Sequence, residues 1–218
     1  MKKILVLDNI KKEGLAILKK DFELDFKGKL KEEELLEIVE NYDAVLVRSG
    51  TKITKNVLVK AKNLKLVGRA GVGVDNIDIE SATRNGVLVM NVPAGNTISA
   101  CEHTFALILS LLRNIPQAHS SMKQGKWDRK KFTGNELYSK TLGIIGLGRI
   151  GREVAKRALS FGVRVVGYDP YISKEYVQKL GVELLSFEEV LRNSDIITLH
   201  VALNENTKYL INKQTLSL

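Results

Sequence analysis

One cysteine, Cys101, stands in a chain of 218 residues. An internal disulfide is therefore excluded, and so is a zinc cage built from cysteines. Histidine is scarce too. There are three, and no two of them stand at metal-ligand spacing with a carboxylate. No apolar run approaches the roughly 18 residues that a membrane span needs. The longest, Phe105 to Leu112, has eight and includes Ser110. The opening MKKILVLDN has four apolar residues before Asp8 stops them, too few for an export signal. No repeat or low-complexity tract is present. A cytoplasmic protein with no membrane partner is expected.

What is present is ordinary globular composition, 44% apolar and 27% charged, which rules out a disordered or collagen-like chain. Lysine and arginine number 34 against 25 acidic residues, a net charge of +9. Both signs are mixed at helix-exposed spacing, so most of this is a solvated surface. A second role is to steer anionic ligands inward. Nucleic acid is not expected as a partner, because no basic patch is interleaved with aromatics.

The first 95 residues alternate apolar runs with amphipathic segments. Strands are predicted at Lys3–Asp8, Ala44–Val47, Leu64–Val67 and Val87–Val89, with a short apolar piece at Phe22–Phe26. Helices are predicted at Lys12–Lys20, Glu32–Glu40, Lys55–Ala61 and Ile79–Asn85. Near-continuous apolar strands separated by helices imply a parallel sheet covered on both faces. A turn-rich stretch, Asn91–Thr97, ends this region. A long helix is expected to start at a capping box, Ser99 to Glu102, with Pro116 kinking it or dividing it. Its apolar stripe runs through Phe105, Leu107, Ile108, Leu111 and Leu112. After a basic loop, Lys123–Lys131, strands are predicted at Thr141–Gly146, Val163–Tyr168, Val182–Leu185 and Asp195–Val201. Helices fall at Ile150–Leu159, around Glu175–Leu180, and from a second capping box at Ser186 to about Asn193. The strand Asp195–Val201 is expected beside Thr141–Gly146, with an apolar edge through Ile196, Ile197, Leu199 and Val201 open on its other side.

The strongest motif is Gly146-Leu-Gly148-Arg-Ile-Gly151, set between an apolar strand and a helix. Gly146 allows the tight turn, Gly148 leaves room for a pyrophosphate, and Gly151 lets the helix pack on the strand. Free N–H groups and the helix dipole favour an anion there. Asp169 closes the next strand 18 residues after Gly151, placed for a carboxylate on the adenosine ribose hydroxyls. Its charge repels a 2′-phosphate, so the expected cofactor is NAD rather than NADP. A tight turn without a ligand is the competing explanation. Cys101 and His103 are expected in core packing and His119 on a surface helix. His200 ends a buried strand, where a backbone contact to the cofactor is expected and proton transfer is not.

Beyond that motif, Val47–Thr51, Gly68–Asp78, Asn91–Asn96, Gly125–Arg129 and Asp195–His200 together make the chain resemble the D-isomer-specific 2-hydroxyacid dehydrogenases. The resemblance covers essentially the whole chain. It implies an α/β protein of two doubly wound parallel-sheet domains. A flavodoxin-like substrate domain would span 1–95, and a Rossmann NAD-binding domain, incomplete at its C-terminal end, would span 96–218. It implies that Arg149 and Ile150 contact the pyrophosphate, Asp169 the adenosine ribose and the backbone near Val201 the adenosine side, while Val72 lies near the nicotinamide. The residues suit these roles. The Gly71-Val72-Gly73 backbone makes a nest for a substrate carboxylate, Ser49 adds a hydroxyl donor, and Asn96 a hydrogen bond near the reacting carbon. Arg48, Arg69 and Arg129 come from three segments and suit a phosphate.

The activity implied is NAD-dependent oxidation of D-3-phosphoglycerate to 3-phosphohydroxypyruvate, the first step of serine synthesis. Alternatives are a dehydrogenase for a non-phosphorylated acid such as glyoxylate or hydroxypyruvate, and a non-catalytic NAD-binding regulator. The family's catalytic Arg, Glu and His fall beyond Leu218. No residue here is assigned to catalysis, no metal is expected, and these 218 residues are expected to be a C-terminally truncated version, inactive alone. A homodimer or higher homo-oligomer is implied, with the Phe105, Ile108 and Leu112 stripe as its surface.

Overall fold

A computed structural model describes all residues, 1–218, as two units, Met1–Asn96 and Thr97–Leu218. In the first unit the apolar runs become strands β1 (Lys3–Val6), β2 (Glu23–Phe26), β3 (Ala44–Val47), β4 (Leu66–Arg69) and β5 (Leu88–Asn91). All pair in parallel, in the order β2-β1-β3-β4-β5. That is the flavodoxin-like order of doubly wound sheets. Helices α1 (Glu32–Ile38), α2 (Lys55–Lys60) and α3 (Ile79–Arg84) connect the strands. Alternate strand residues Leu5, Leu7, Val45, Val47 and Val67 face them and form the main core with Leu35, Val57, Leu58 and Ala82.

The opposite face differs from expectation. Lys12–Lys20 is not a helix but two short 3₁₀ turns, Lys12–Leu15 and Leu18–Lys20. Nine residues that include Gly14 and lack a side-chain cap cannot offset the cost of helix nucleation. Only Leu15 is fully buried there, and Ile17 points outward. These turns cover Ile4, Val6, Ala44 and Leu46. Toward β5, Leu88 and Met90 stay exposed.

The second unit holds α4 (Thr97–Leu112), α5 (Ile115–Lys123), β6 (Thr141–Ile145), α6 (Arg149–Leu159), β7 (Arg164–Tyr168), α7 (Lys174–Gln178), β8 (Glu183–Leu184), α8 (Phe187–Asn193) and β9 (Ile196–Leu199). Its parallel sheet runs β8-β7-β6-β9, which is the 3-2-1-4 portion of the Rossmann order. One face packs on α6, α4 and α7 through Val154, Ala158, Phe105, Ile108 and Val177. The other packs on α8 through Val190 and Leu191. No helix is long and apolar enough to cross a membrane.

Two expectations about the long helix are corrected. It begins at Thr97, so Ser99 is already helical and cannot act as its N-cap, which requires extended backbone. Pro116 marks a division rather than a kink. Asn114 turns left-handed at φ 52°, and Pro116 sits in the first turn of α5, where a missing N–H costs nothing. The Ser186 capping box, by contrast, forms as expected. Its hydroxyl accepts from Glu189 N–H, and the Glu189 carboxylate accepts from Ser186 N–H at 2.9 Å.

Candidate functional site

The glycine turn follows directly from β6. Gly146 has φ +95°, the left-handed region that favours glycine, and its N–H donates to Tyr168 O at 2.8 Å. A Cβ there would lie 2.6 Å from His200 O and 2.9 Å from Val201 Cγ1, so the end of β9 packs against the turn. Gly151, in the first turn of α6, is just as constrained, because a Cβ would fall 2.0 Å from Gly146 O. Gly148 differs. It caps α6 in extended backbone, and a Cβ would meet nothing within 4 Å. No protein contact demands glycine there. The residue leaves an open cradle at a helix start where Arg149, Ile150 and Gly151 precede the first intrahelical acceptor bond, Arg152 N–H to Gly148 O at 3.1 Å. Open space, unsatisfied donors and the positive end of the helix dipole together suit a phosphate.

Asp169 lies beside this turn, half-buried. Its Oδ2 accepts from Leu147 N–H at 2.8 Å and its Oδ1 from Tyr171 N–H at 2.9 Å. Each oxygen keeps a further acceptor position, so the carboxylate can hold the loop and still receive hydroxyl donors. His200 sits nearby with Nε2 3.1 Å from Thr198 Oγ1. Burial pushes its imidazole below the usual range, so the ring is neutral at neutral pH. Cys101 is buried in the α4–α6 core, and burial pushes its thiol up, which keeps it unreactive. Arg129 heads an exposed 3₁₀ turn at the end of the basic loop.

In the first unit the remaining candidates gather at the C-terminal edge of the sheet, the edge where open α/β sheets bind ligands. Arg48 and Ser49 follow β3, and Arg69 ends β4 opposite Val47. Gly71, Val72 and Gly73 come next. A Cβ on Gly71 would lie 2.9 Å from an Arg69 guanidinium nitrogen, and one on Gly73 would lie 3.4 Å from it. The guanidinium thus lies against the nest. Its Nε donates to Asn76 Oδ1 at 2.9 Å, and an Nη lies 3.4 Å from Asp75. Asn96 closes the unit at an exposed position.

Two organising residues of this edge escaped the sequence analysis. Asp8 accepts from Arg48 N–H at 2.8 Å, Thr51 N–H at 3.0 Å and Thr51 Oγ1 at 2.7 Å. Burial pushes its carboxyl up, but the bonds from Thr51, Arg48 and Gly50 outweigh this and hold it below the usual carboxylate range. Asn76, inside the quoted Gly68–Asp78 motif, bonds both the Arg48–Thr51 loop and Arg69. The signal available for Asp8 was an acid at the end of the first strand of a parallel sheet.

Comparison with known proteins agrees with this geometry. Residues 105–218 match the family described as D-isomer specific 2-hydroxyacid dehydrogenase, NAD binding domain. The chain is 50% identical over 219 residues to D-3-phosphoglycerate dehydrogenase of Methanocaldococcus jannaschii, covering 100% of this chain and 42% of that protein. It is 51% identical over 219 residues to D-3-phosphoglycerate dehydrogenase of Bacillus subtilis, covering 100% of this chain and 41% of that one. The chain thus spans about two fifths of the length of these relatives. Among solved structures it is similar to D-lactate dehydrogenase from Aquifex aeolicus complexed with NAD and lactic acid. That match has a TM-score of 0.85 and 32% identity, covering 98% of this chain and 65% of that one.

Proposed function

We propose, for a chain that belongs to the D-isomer-specific 2-hydroxyacid dehydrogenase family, that its residues serve NAD-dependent oxidation of D-3-phosphoglycerate to 3-phosphohydroxypyruvate, the entry to serine synthesis. The observation that carries the cofactor assignment is the open cradle at Gly148 with Asp169 alongside. The substrate assignment rests on half-identity to D-3-phosphoglycerate dehydrogenases along the whole chain. NAD, when bound, supplies the hydride acceptor for the carbon bearing the 2-hydroxyl.

The chain's own residues bind and orient. Gly146, Gly148 and Gly151 shape the turn, and the N–H groups of Arg149 and Ile150 meet the pyrophosphate. Asp169 receives the adenosine ribose hydroxyls, and the backbone at His200 and Val201 lies on the adenosine side. Val72 is assigned to the nicotinamide and the Gly71–Gly73 nest to the substrate carboxylate. Ser49 and Asn96 add hydrogen bonds, and Arg48, Arg69 and Arg129 neutralise the phosphate. The proposed setting is the cytoplasm, and the proposed assembly a homodimer or higher homo-oligomer.

Calorimetric titration of the 218-residue protein tests this without requiring turnover. NAD should bind at least about tenfold more tightly than NADP, a difference of roughly 1.4 kcal/mol. Asp169→Asn should narrow that ratio. Equal affinities for the two cofactors in the unaltered protein would sink the Asp169 assignment. D-3-phosphoglycerate should bind more tightly than glyoxylate or hydroxypyruvate, with Arg48→Ala weakening the phosphorylated acid alone. The opposite preference would favour a non-phosphorylated substrate.

A further inference from the structure

We propose that Asn76, supported by Asp8, is a positioning residue that fixes the Arg69 guanidinium and the Arg48–Thr51 loop in one arrangement for an anionic substrate. The proposal rests on the assignment of Arg48, Ser49 and Arg69 to substrate binding. Asn76 is 9% exposed, and both donors of its amide and its oxygen are engaged. Its Nδ2 donates to Arg48 O at 2.8 Å and Thr51 O at 2.6 Å, and its Oδ1 accepts from Arg69 Nε at 2.9 Å. One side chain therefore ties the loop carbonyls on β3's side to the guanidinium on β4's side.

The bond to Nε has a geometric consequence. It takes the guanidinium's inner donor and leaves the two Nη groups, the pair suited to bidentate contact with a carboxylate or phosphate. The competing Asp75 contact is long, at 3.4 Å, and its carboxylate is 81% exposed, so it restrains the arginine little. Asp8 grips the same loop from its N–H side, through Arg48 and Thr51. Gly50 admits that carboxylate, since a Cβ would lie 2.7 Å from Asp8 Oδ1. Asp8 and Asn9 both adopt left-handed backbone, at φ 57° and 53°, a conformation uncommon outside glycine. Amide and carboxylate thus saturate opposite sides of one short loop.

A thermodynamic cycle separates positioning from simple support of the fold. Affinity for D-3-phosphoglycerate is measured for the unaltered protein, Asn76→Ala, Arg69→Ala and the double variant, with amide exchange of β1, β3 and β4 as a control for folding of the first unit, which carries both residues, and NAD affinity as a control for the second. Asn76→Ala should weaken the acid about tenfold, of the order expected for losing a charge-assisted contact, and leave NAD within about twofold. The double variant should lose less than the sum of the two single losses, because part of the effect of Asn76 runs through that arginine and the rest through the Arg48–Thr51 loop. Additive losses would overturn the proposal.

If the unaltered protein fails to bind the acid, the assigned function falls, and ¹⁵N relaxation of the Arg69 Nε–H still decides the positioning role. That group should be as ordered as the backbone in the unaltered protein. It should become mobile in Asn76→Ala. Equal mobility in both would refute the role. Should Asn76→Ala not fold, Asn76→Ser, too short to reach Arg69 Nε, takes its place, and an Arg69 Nε–H as ordered there as in the unaltered protein would refute the role.

Discussion

The three glycines of the cofactor turn are identical as residues and differ in what surrounds them. Gly151 faces backbone, with Gly146 O at 2.0 Å from a Cβ, so neither side can yield cheaply. Gly148 has extended backbone and no neighbour within 4 Å. Gly151→Ala should therefore lower stability by about 1–3 kcal/mol, as overpacking of a rigid site does. Gly148→Ala should leave the melting temperature nearly unchanged and weaken NAD by about tenfold or more, since the methyl group occupies the ligand's space. Thermal melts and titrations on both variants check this, and a Gly148→Ala protein with unaltered NAD affinity would mean the cradle is not the pyrophosphate site. The motif was legible in the sequence because its three glycines stand at a fixed spacing between an apolar strand and a helix. Asp8 and Asn76 were not. Asp8 reaches partners 40 and 43 residues away, and its left-handed backbone leaves no mark on the residues around it.

At the level of elements, strands were more legible than helix ends. Apolar runs of four or five residues stand out wherever a strand is covered on both faces, and each expected strand appears within about two residues. The Ser-x-x-Glu pattern, by contrast, is too short to fix a boundary. It caps α8 at Ser186 and falls inside α4 at Ser99. The stripe on α4 also divides in a way that apolar content alone does not reveal. Phe105 and Ile108 are buried in the second unit's own core, Phe105 stacking on Phe161 at 5.3 Å, and Leu112 packs there too. These residues are thus not free to form the subunit surface expected of them. Leu107 and Leu111 remain, 59% and 77% exposed, one helical turn apart. If the chain self-associates through α4, Leu107→Lys with Leu111→Lys should convert a dimer to a monomer in light scattering while leaving the unfolding free energy of the monomeric unit within about 1 kcal/mol, as exposed substitutions do. A dimer that survives both lysines would place the interface elsewhere.

The whole molecule consists of two sheets with separate cores, one from Met1 to Asn96 and one from Thr97 to Leu218. No strand of one sheet pairs with the other. Cooperative unfolding follows shared packing, so each unit should open with its own free energy. The glycine turn and Asp169 lie wholly in the second unit, and a ligand stabilises the unit whose folded state it binds. With NAD at about 100 times its dissociation constant, the linkage is worth about 2.7 kcal/mol. Amide hydrogen exchange can read this residue by residue. The amides of β6 and β7, whose side chains include the buried Leu142, Ile144, Val165 and Val166, exchange only on opening of their unit and should slow by about a hundredfold on adding NAD. Amides of β1, β3 and β4, under the equally buried Leu5, Val45 and Val67, should change much less. The edge strand β9, with Leu199 45% exposed, should start less protected than β6 and gain less. An equal gain in both sheets would show that they open as one cooperative body, and no gain in β6 and β7 would remove NAD from the second unit altogether.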